Sequence, residues 1–220
     1  WIEAAYERLG MELGWRFLYT PASTLSCPNG VMLVGLNPGG DEHGITPSVE
    51  EGNAYLVEDW PGDGASLQDQ IHQFFAALHQ AGAVSGKTPR EALHGTLTTN
   101  YCPFRAPTWE ELPQKEGAKR FSNQFWRWLL PKIEPDLVLC MGRKPYRLFQ
   151  DVLREEASQV GDERHWPTGW GDIQFDAISY RTDHRQTTIA FIPHLSRFKL
   201  MSREESVPCV GRFARDLSPR

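Results

Sequence analysis

The stretch VMLVGLNPGG, residues 31–40, decides the fold. Its first six residues are a continuous apolar run, and Asn-Pro-Gly-Gly then forces the chain to turn. An apolar run without alternation, closed by turn residues, reads as a strand buried on both faces, which is the habit of parallel sheets. Working outward, the same pattern recurs in DLVLCMG at 136–142 and TTIAFIP at 187–193, with a shorter LTT at 97–99. DIQFDAISY supplies one more strand inside the polar, glycine-rich segment 161–185. Between these runs the apolar spacing changes to the helical period. Helices are expected over 1–15, over 66–82 with Ser66 as N-cap and Gly82 past the end, over 117–132, over 145–157 and at the C-terminus. Residues 39–64, rich in Gly, Pro and acids, are expected to be a long functional loop. Strands alternating with helices predict a three-layer α/β/α sandwich with a mainly parallel central sheet, organised as one domain over 1–220.

Length and composition agree with one well-filled domain. Hydrophobic residues make up 40% and charged residues 23% of 220 positions, as in ordinary globular proteins. No apolar run reaches the roughly 18 residues of a membrane span. The start WIEAAYERLG lacks the basic and apolar regions of a signal peptide, so a cytoplasmic protein with no membrane partner is expected, acting as a monomer. Cys27, Cys102, Cys140 and Cys209 form no closely spaced pair, which argues for buried reduced thiols over an iron–sulfur cluster. No metal-ligand spacing is present, and no cofactor is expected. The net charge of −5 neither requires nor forbids a nucleic-acid partner, because phosphate contacts need only local positive potential. Two basic stretches offer it: Arg143, Lys144 and Arg147, and Arg197, Lys199, Arg203, Arg212, Arg215 and Arg220.

Open α/β sheets bind ligands beyond the carboxyl ends of their strands. Three of the expected strands end in a polar side chain: Asn37, Asn100 and His194. Each alone is ordinary, since Asn is common in turns and a lone His is commonly structural. Together, two amides and an imidazole at three strand ends suit a planar ligand with donors and acceptors, and a nucleobase fits.

The local sequences are similar to one family. GLNPGG at 35–40 resembles the first motif of the uracil-DNA glycosylase superfamily, in its single-strand-selective and mismatch-specific branches. TNYCPF at 99–104, with the following APTWEELP, resembles the single-strand-selective branch. DLVLCMGRKPYRLF at 136–149 is similar to the superfamily's strand–Gly–helix unit, and PHLSRF at 193–198 to its second motif. The resemblance implies a DNA glycosylase that flips a pyrimidine out of the stack and hydrolyses its N-glycosidic bond. By match, Asn37 would hold the attacking water, His194 would donate to the pyrimidine O2, and Asn100 would read the base edge. Pro38, Gly39 and Gly40 would add backbone contacts to the base. An aromatic would stack on the base, with Tyr55, Trp60 and Tyr101 as candidates. Around the second motif Ser196, Arg197, Phe198 and Lys199 are expected to contact DNA. Arg197, Phe198 and Leu200 are candidates for the wedge that fills the vacated gap, with Lys199, Arg203, Arg143 and Lys144 for phosphates.

Two departures from the family pattern matter. Leu195 follows His194 where the family usually has Pro, and the segment after Gly40 does not align with it. Gly39 and Gly40 offer little bulk on the C5 side of a base, so a bulky C5-modified pyrimidine, such as hydroxymethylated or glucosylated cytosine of phage DNA, is a second expectation. It would make the protein an antiphage defence enzyme. Asp41 and Glu42 are candidates for a general base. Rival readings are a catalytically silent binder of flipped bases and a nucleotide-handling enzyme unrelated to DNA; the absence of a GxxxxGK[ST] loop argues against the latter.

Overall fold

The computed structural model describes residues 1–183 and 185–218, so Arg220 of the basic C-terminal stretch lies outside the described residues. In chain order the elements are α1 (Ile2–Arg8), β1 (Gly14–Arg16), β2 (Val31–Gly35), β3 (Gly44–Thr46), α2 (Ala54–Val57), α3 (Asp63–Gln80), α4 (Pro89–His94), β4 (Leu97–Asn100), α5 (Lys115–Ile133), β5 (Leu137–Met141), α6 (Arg143–Arg154), β6 (Gln159–Val160), β7 (Arg164–Trp170), β8 (Ile173–Arg181), β9 (Gln186–Ile192), α7 (Leu195–Phe198) and α8 (Ser206–Leu217).

The central sheet has seven strands. Four of them, in the order β4-β2-β5-β9, are parallel, and helices cover both faces, as the sequence predicts. The sheet then continues antiparallel through β8, whose outer edge is shared by β6 and β7. Alternation along each strand feeds two cores. Met32, Val34, Val138, Cys140, Ile189 and Phe191 face the layer of α5 and α6, where Trp126 and Phe149 are fully buried. Val31, Leu33, Leu137, Leu139, Ala190 and Ile192 face α3, α4 and α8, against Phe74, Phe75 and Phe213. With both faces of β2 and β5 occupied, nothing polar is tolerated along them, and this is why they read as unbroken apolar runs.

Some local expectations are corrected. The first helix ends at Arg8 instead of running to 15, because Gly10 turns the chain at φ +61°. Residues 14–16 are instead β1, paired in parallel with β3; a Cβ on Gly14 would overlap the Gly44 backbone, so only glycine permits this approach. Segment 39–64 is therefore not all loop: it holds β3 and α2, the latter capped by the Asn53 side chain accepting from the Tyr55 N–H. The third helix starts at Asp63 with Gly62, not Ser66, at its N-cap, while Gly82 does follow its end, at φ +76°. Within 161–185 the structure adds β7, an edge strand that tolerates Pro167 because it pairs on one side only.

Candidate active site

Register places the site. Gly35 pairs with Asn100, and Met141 pairs with Ile192, while Val34 pairs with Cys140. The four parallel strands therefore stop in one row, and the residues that follow them converge. They close a cavity of about 820 Å³ lined by Asn37, Gly39, Gly40, Asn100, His194 and Ser196 among others. Of the six strand-end and turn residues predicted to meet the base or the water, five, Asn37, Gly39, Gly40, Asn100 and His194, thus share one space, and Pro38 does not line it.

Asn37 is held by its donors. Its Nδ2 donates to the carbonyl of Pro38 at 3.1 Å and to that of Ala106 at 3.2 Å. The opposite amide orientation would set three oxygens against each other, so the hydrogen-bond pattern fixes the side chain. Its Oδ1 is left as an acceptor. The supporting loops are zipped together: the N–H groups of Tyr101, Cys102 and Ala106 donate to the carbonyls of Gly35, Leu36 and Pro38. Pro38 is buried and acts through its carbonyl without lining the cavity, whereas exposed Gly40 adopts φ +94°, a conformation that favours glycine.

Asn100, 6% exposed, lies over Gly35, where a Cβ would overlap its Oδ1. Gly35, which opens the GLNPGG motif but was given no role in the sequence reading, is thus a site residue. His194 opens its ring edge to the cavity, and its Nδ1 is 2.8 Å from Ser196 Oγ. Partial desolvation lowers the imidazole below the usual histidine range, which favours the neutral ring, although the residue itself stays exposed. The Ser196 hydroxyl can donate to Nδ1, and in that tautomer the ring proton sits on Nε2 as a donor.

One wall was not foreseen. Arg16, 7% exposed, makes two hydrogen bonds to Glu58, at 2.7 and 3.1 Å, and its guanidinium stacks 3.8 Å from the Tyr19 ring centroid. Trp60 Nε1 donates to Glu58 at 2.7 Å, and Tyr55 packs edge-on to Trp60 with centroids 4.9 Å apart. Arg16, Tyr19, Tyr55 and Trp60 all line the cavity, as does Arg105, whose Nε donates to the Gly44 carbonyl. Burial raises the Tyr19 hydroxyl above the usual tyrosine value, and the Arg16 charge pulls it part of the way back, so the phenol stays neutral, while Arg105 adds a charge outside the Arg16–Glu58 pair. Of the foreseen stacking candidates, Tyr55 and Trp60 are here.

Tyr101 is not. It is fully buried on the other face of the sheet, with its ring against Phe149, its hydroxyl bonded to Asn123, and its carbonyl accepting from Trp126 Nε1. Adjacent residues of an extended chain point to opposite faces, so Asn100 in the cavity sends Tyr101 into the core. Leu200 is likewise fully buried in the α3–α8 core and cannot serve as a wedge. Phe198 is half-buried edge-on to Trp170, while Arg197 and Lys199 are exposed beside it. Arg203 stacks over Trp170 at 4.0 Å. Arg143 pairs with Asp176 and Lys144 with Glu110, both outside the cavity. Asp41 and Glu42 are exposed and do not line it. The four cysteines are free thiols. Burial pushes Cys27 up to about 11 and Cys102 up to about 12, far from a nucleophile's range.

Fold and cavity define an α/β protein that gathers two amides and an imidazole, at the ends of parallel strands, in one cavity. The chain belongs to the uracil DNA glycosylase superfamily, whose pattern it matches over residues 26–218. That superfamily comprises DNA glycosylases, hydrolases that act on DNA. A search of curated proteins gave no match to the chain. Among the described residues no helix is long and apolar enough to cross a membrane.

Proposed function

We propose that this chain is a monofunctional DNA glycosylase that excises a flipped-out pyrimidine, uracil or a C5-substituted base, and leaves an abasic site. The observation that carries the reading is Asn37, whose two donors are tied to backbone carbonyls while its acceptor stands free in the cavity it shares with His194 and Asn100. Cleavage of the N-glycosidic bond builds positive charge on the sugar and negative charge on the departing base. Asn37 Oδ1 accepts from the attacking water and aims it at C1′; an amide is too weak a base to take its proton early, so orientation does the work. The neutral His194 donates from Nε2 to the pyrimidine O2 as charge collects there. Asn100 reads the base edge, and the N–H groups around Gly39 and Gly40 complete the contacts. The Asn-x-Cys-Pro segment at 100–103 supports a place in the single-strand-selective branch. The protein would work as a single domain and as a monomer in the cytoplasm.

A specific observation favours the bulkier substrate as a second reading. A cavity of about 820 Å³ sits at the upper end of the roughly 300–1,000 Å³ typical of ligand sites. Its Tyr19, Tyr55, Trp60 and Arg16 wall offers ring faces and donors of the kind that hold a hydroxylated substituent. Excision of hydroxymethylated or glucosylated cytosine would place the enzyme in antiphage defence.

The test is an excision assay on labelled single- and double-stranded oligonucleotides carrying uracil, hydroxymethyluracil, thymine opposite guanine, or the modified cytosines, developed with alkali. Uracil release supports the first reading, and release of the modified cytosines alone supports the second. Binding without release of any base would replace both with a silent base-flipping binder.

A further inference from the structure

Asp176 occupies a position where a carboxylate is costly. It is 2% exposed, on β8 between the fully buried Phe175 and Ala177. A buried carboxylate persists only when it is paired, and both of its oxygens are engaged: Oδ2 by Arg143 and Oδ1 by His165 Nδ1 at 2.6 Å. The pairing is lopsided. The anion is hidden, while the Arg143 and His165 side chains remain 46% and 50% exposed. Arg143 is also fixed in plane, with its guanidinium 3.9 Å from the Phe191 ring centroid.

Arg143 and His165 thus keep their outer edges in water while the carboxylate that holds them is hidden. A buried anchor that fixes two cations and leaves their outer nitrogens open is suited to an oxyanion. The guanidinium keeps most of its five N–H donors, and the imidazole, with Nδ1 on Asp176, turns Nε2 outward as a donor when charged. Glu163, a neighbouring carboxylate, is occupied by the Tyr146 hydroxyl at 2.7 Å. Position identifies the oxyanion. Asp176 pairs across the sheet with Phe191, and His165 with Asp176, while Arg143 opens α6 directly after β5. The trio therefore stands at the ligand end of the sheet, in the rows beside Ile192 and His194.

We infer that Arg143 and His165, anchored by Asp176, form a clamp for a backbone phosphate of the DNA strand that enters the cavity. This rests on the DNA-excision reading above and adds His165 and Asp176 to the interface. The clamp positions DNA and takes no part in bond cleavage.

The test is equilibrium binding, by fluorescence anisotropy, of a duplex carrying an uncleavable tetrahydrofuran abasic analogue, over a salt series. Arg143→Gln and His165→Gln each weaken binding several-fold and each flattens the slope of log K against log salt, with about one unit lost when both are changed. Each variant leaves Asp176 its other partner, and circular dichroism with a melting curve confirms the fold before binding is read. Asp176→Asn adds a net positive charge yet weakens binding, because the cations lose their anchor; a diffuse basic patch predicts tighter binding. Unchanged affinity and slope in Arg143→Gln and His165→Gln, or tighter binding by Asp176→Asn, overturns the clamp. Wild-type protein that binds through these residues but releases no base defeats the excision reading and leaves the clamp standing. Failure of the wild type to bind DNA removes both.

Discussion

The two halves of the central sheet do different things at the same end. In the parallel half, β4, β2, β5 and β9 all finish there, and the last residue of β4 and the turns after β2 and β9 deliver Asn100, Asn37 and His194 to one cavity. In the antiparallel half, β8 begins there, and it delivers a buried carboxylate flanked by half-exposed cations. The parallel half relies mainly on uncharged groups, with amides, an imidazole held below its usual range and an ion pair closed on itself, and its further cation, Arg105, is turned onto the Gly44 carbonyl. The antiparallel half carries open charge. Parallel strands in register send every following loop the same way, so they suit a site in which several short side chains must meet one small ring. A strand that only starts at that end has no loop to contribute beyond its own turn. It can still hold a side chain rigidly, and that is what a phosphate contact needs.

The contrast can be broken from the neutral side first. His194→Ala removes the donor expected at O2, and a single lost donor of this kind costs about 10²–10³ in rate. Single-turnover kinetics should show that fall. Gly35→Ala comes next. Its Cβ would overlap Asn100 Oδ1 and push the amide off the base edge, and a displacement near 1 Å costs on the order of 10²-fold. Excision rates on uracil and on the modified cytosines, measured together, show whether selectivity shifts along with rate. Tyr101→Phe sharpens the comparison from behind the sheet. It loses a hydroxyl bonded to Asn123 in the core, so thermal or urea unfolding should register about 1 kcal/mol while the excision rate stays as in the wild type. A rate loss comparable to that of Gly35→Ala would return Tyr101 to the pocket.

The smallest effect is in pH. The folded state holds the His194 imidazole below its ordinary value of about 6.5, so the unfolded chain takes up the proton first as pH falls. The stability that depends on this group is complete above about 6.5 and is lost as pH falls from there toward the folded value. His194→Asn has nothing to protonate. Its melting temperature relative to wild type should therefore rise on going from pH 8 to pH 5, and a constant difference across that range would contradict the desolvated ring.

Much of this was legible in the sequence, and for physical reasons. VMLVGL, DLVLCMG and TTIAFIP had to be strands buried on both faces, because nothing else makes short apolar runs closed by turn residues so regular. Asn37, Asn100 and His194 were legible because each is the polar residue that ends such a run. The Arg16–Glu58 wall was not, since its two partners lie 42 residues apart and meet only through tertiary folding. β1 and β3 hid because three residues carry no period, and their pairing depends on glycine at Gly14. β7 hid behind Pro167 and Gly169, which an edge strand tolerates. Tyr101 was misplaced although the information was present: alternation after a buried Asn100 sends its neighbour to the opposite face. The Asp176 anchor looked like one more acid in a polar segment, and only its burial distinguishes it.

The most direct test of the central claim is Asn37→Ala, with excision rate and affinity measured on the same DNA. Its donors tie two loops but its acceptor alone meets the water, so the account predicts a single-turnover rate lower by about 10²–10³ or more with a dissociation constant within a few-fold of wild type. Excision at the wild-type rate would contradict it, because the bond would then break without the residue that aims the water.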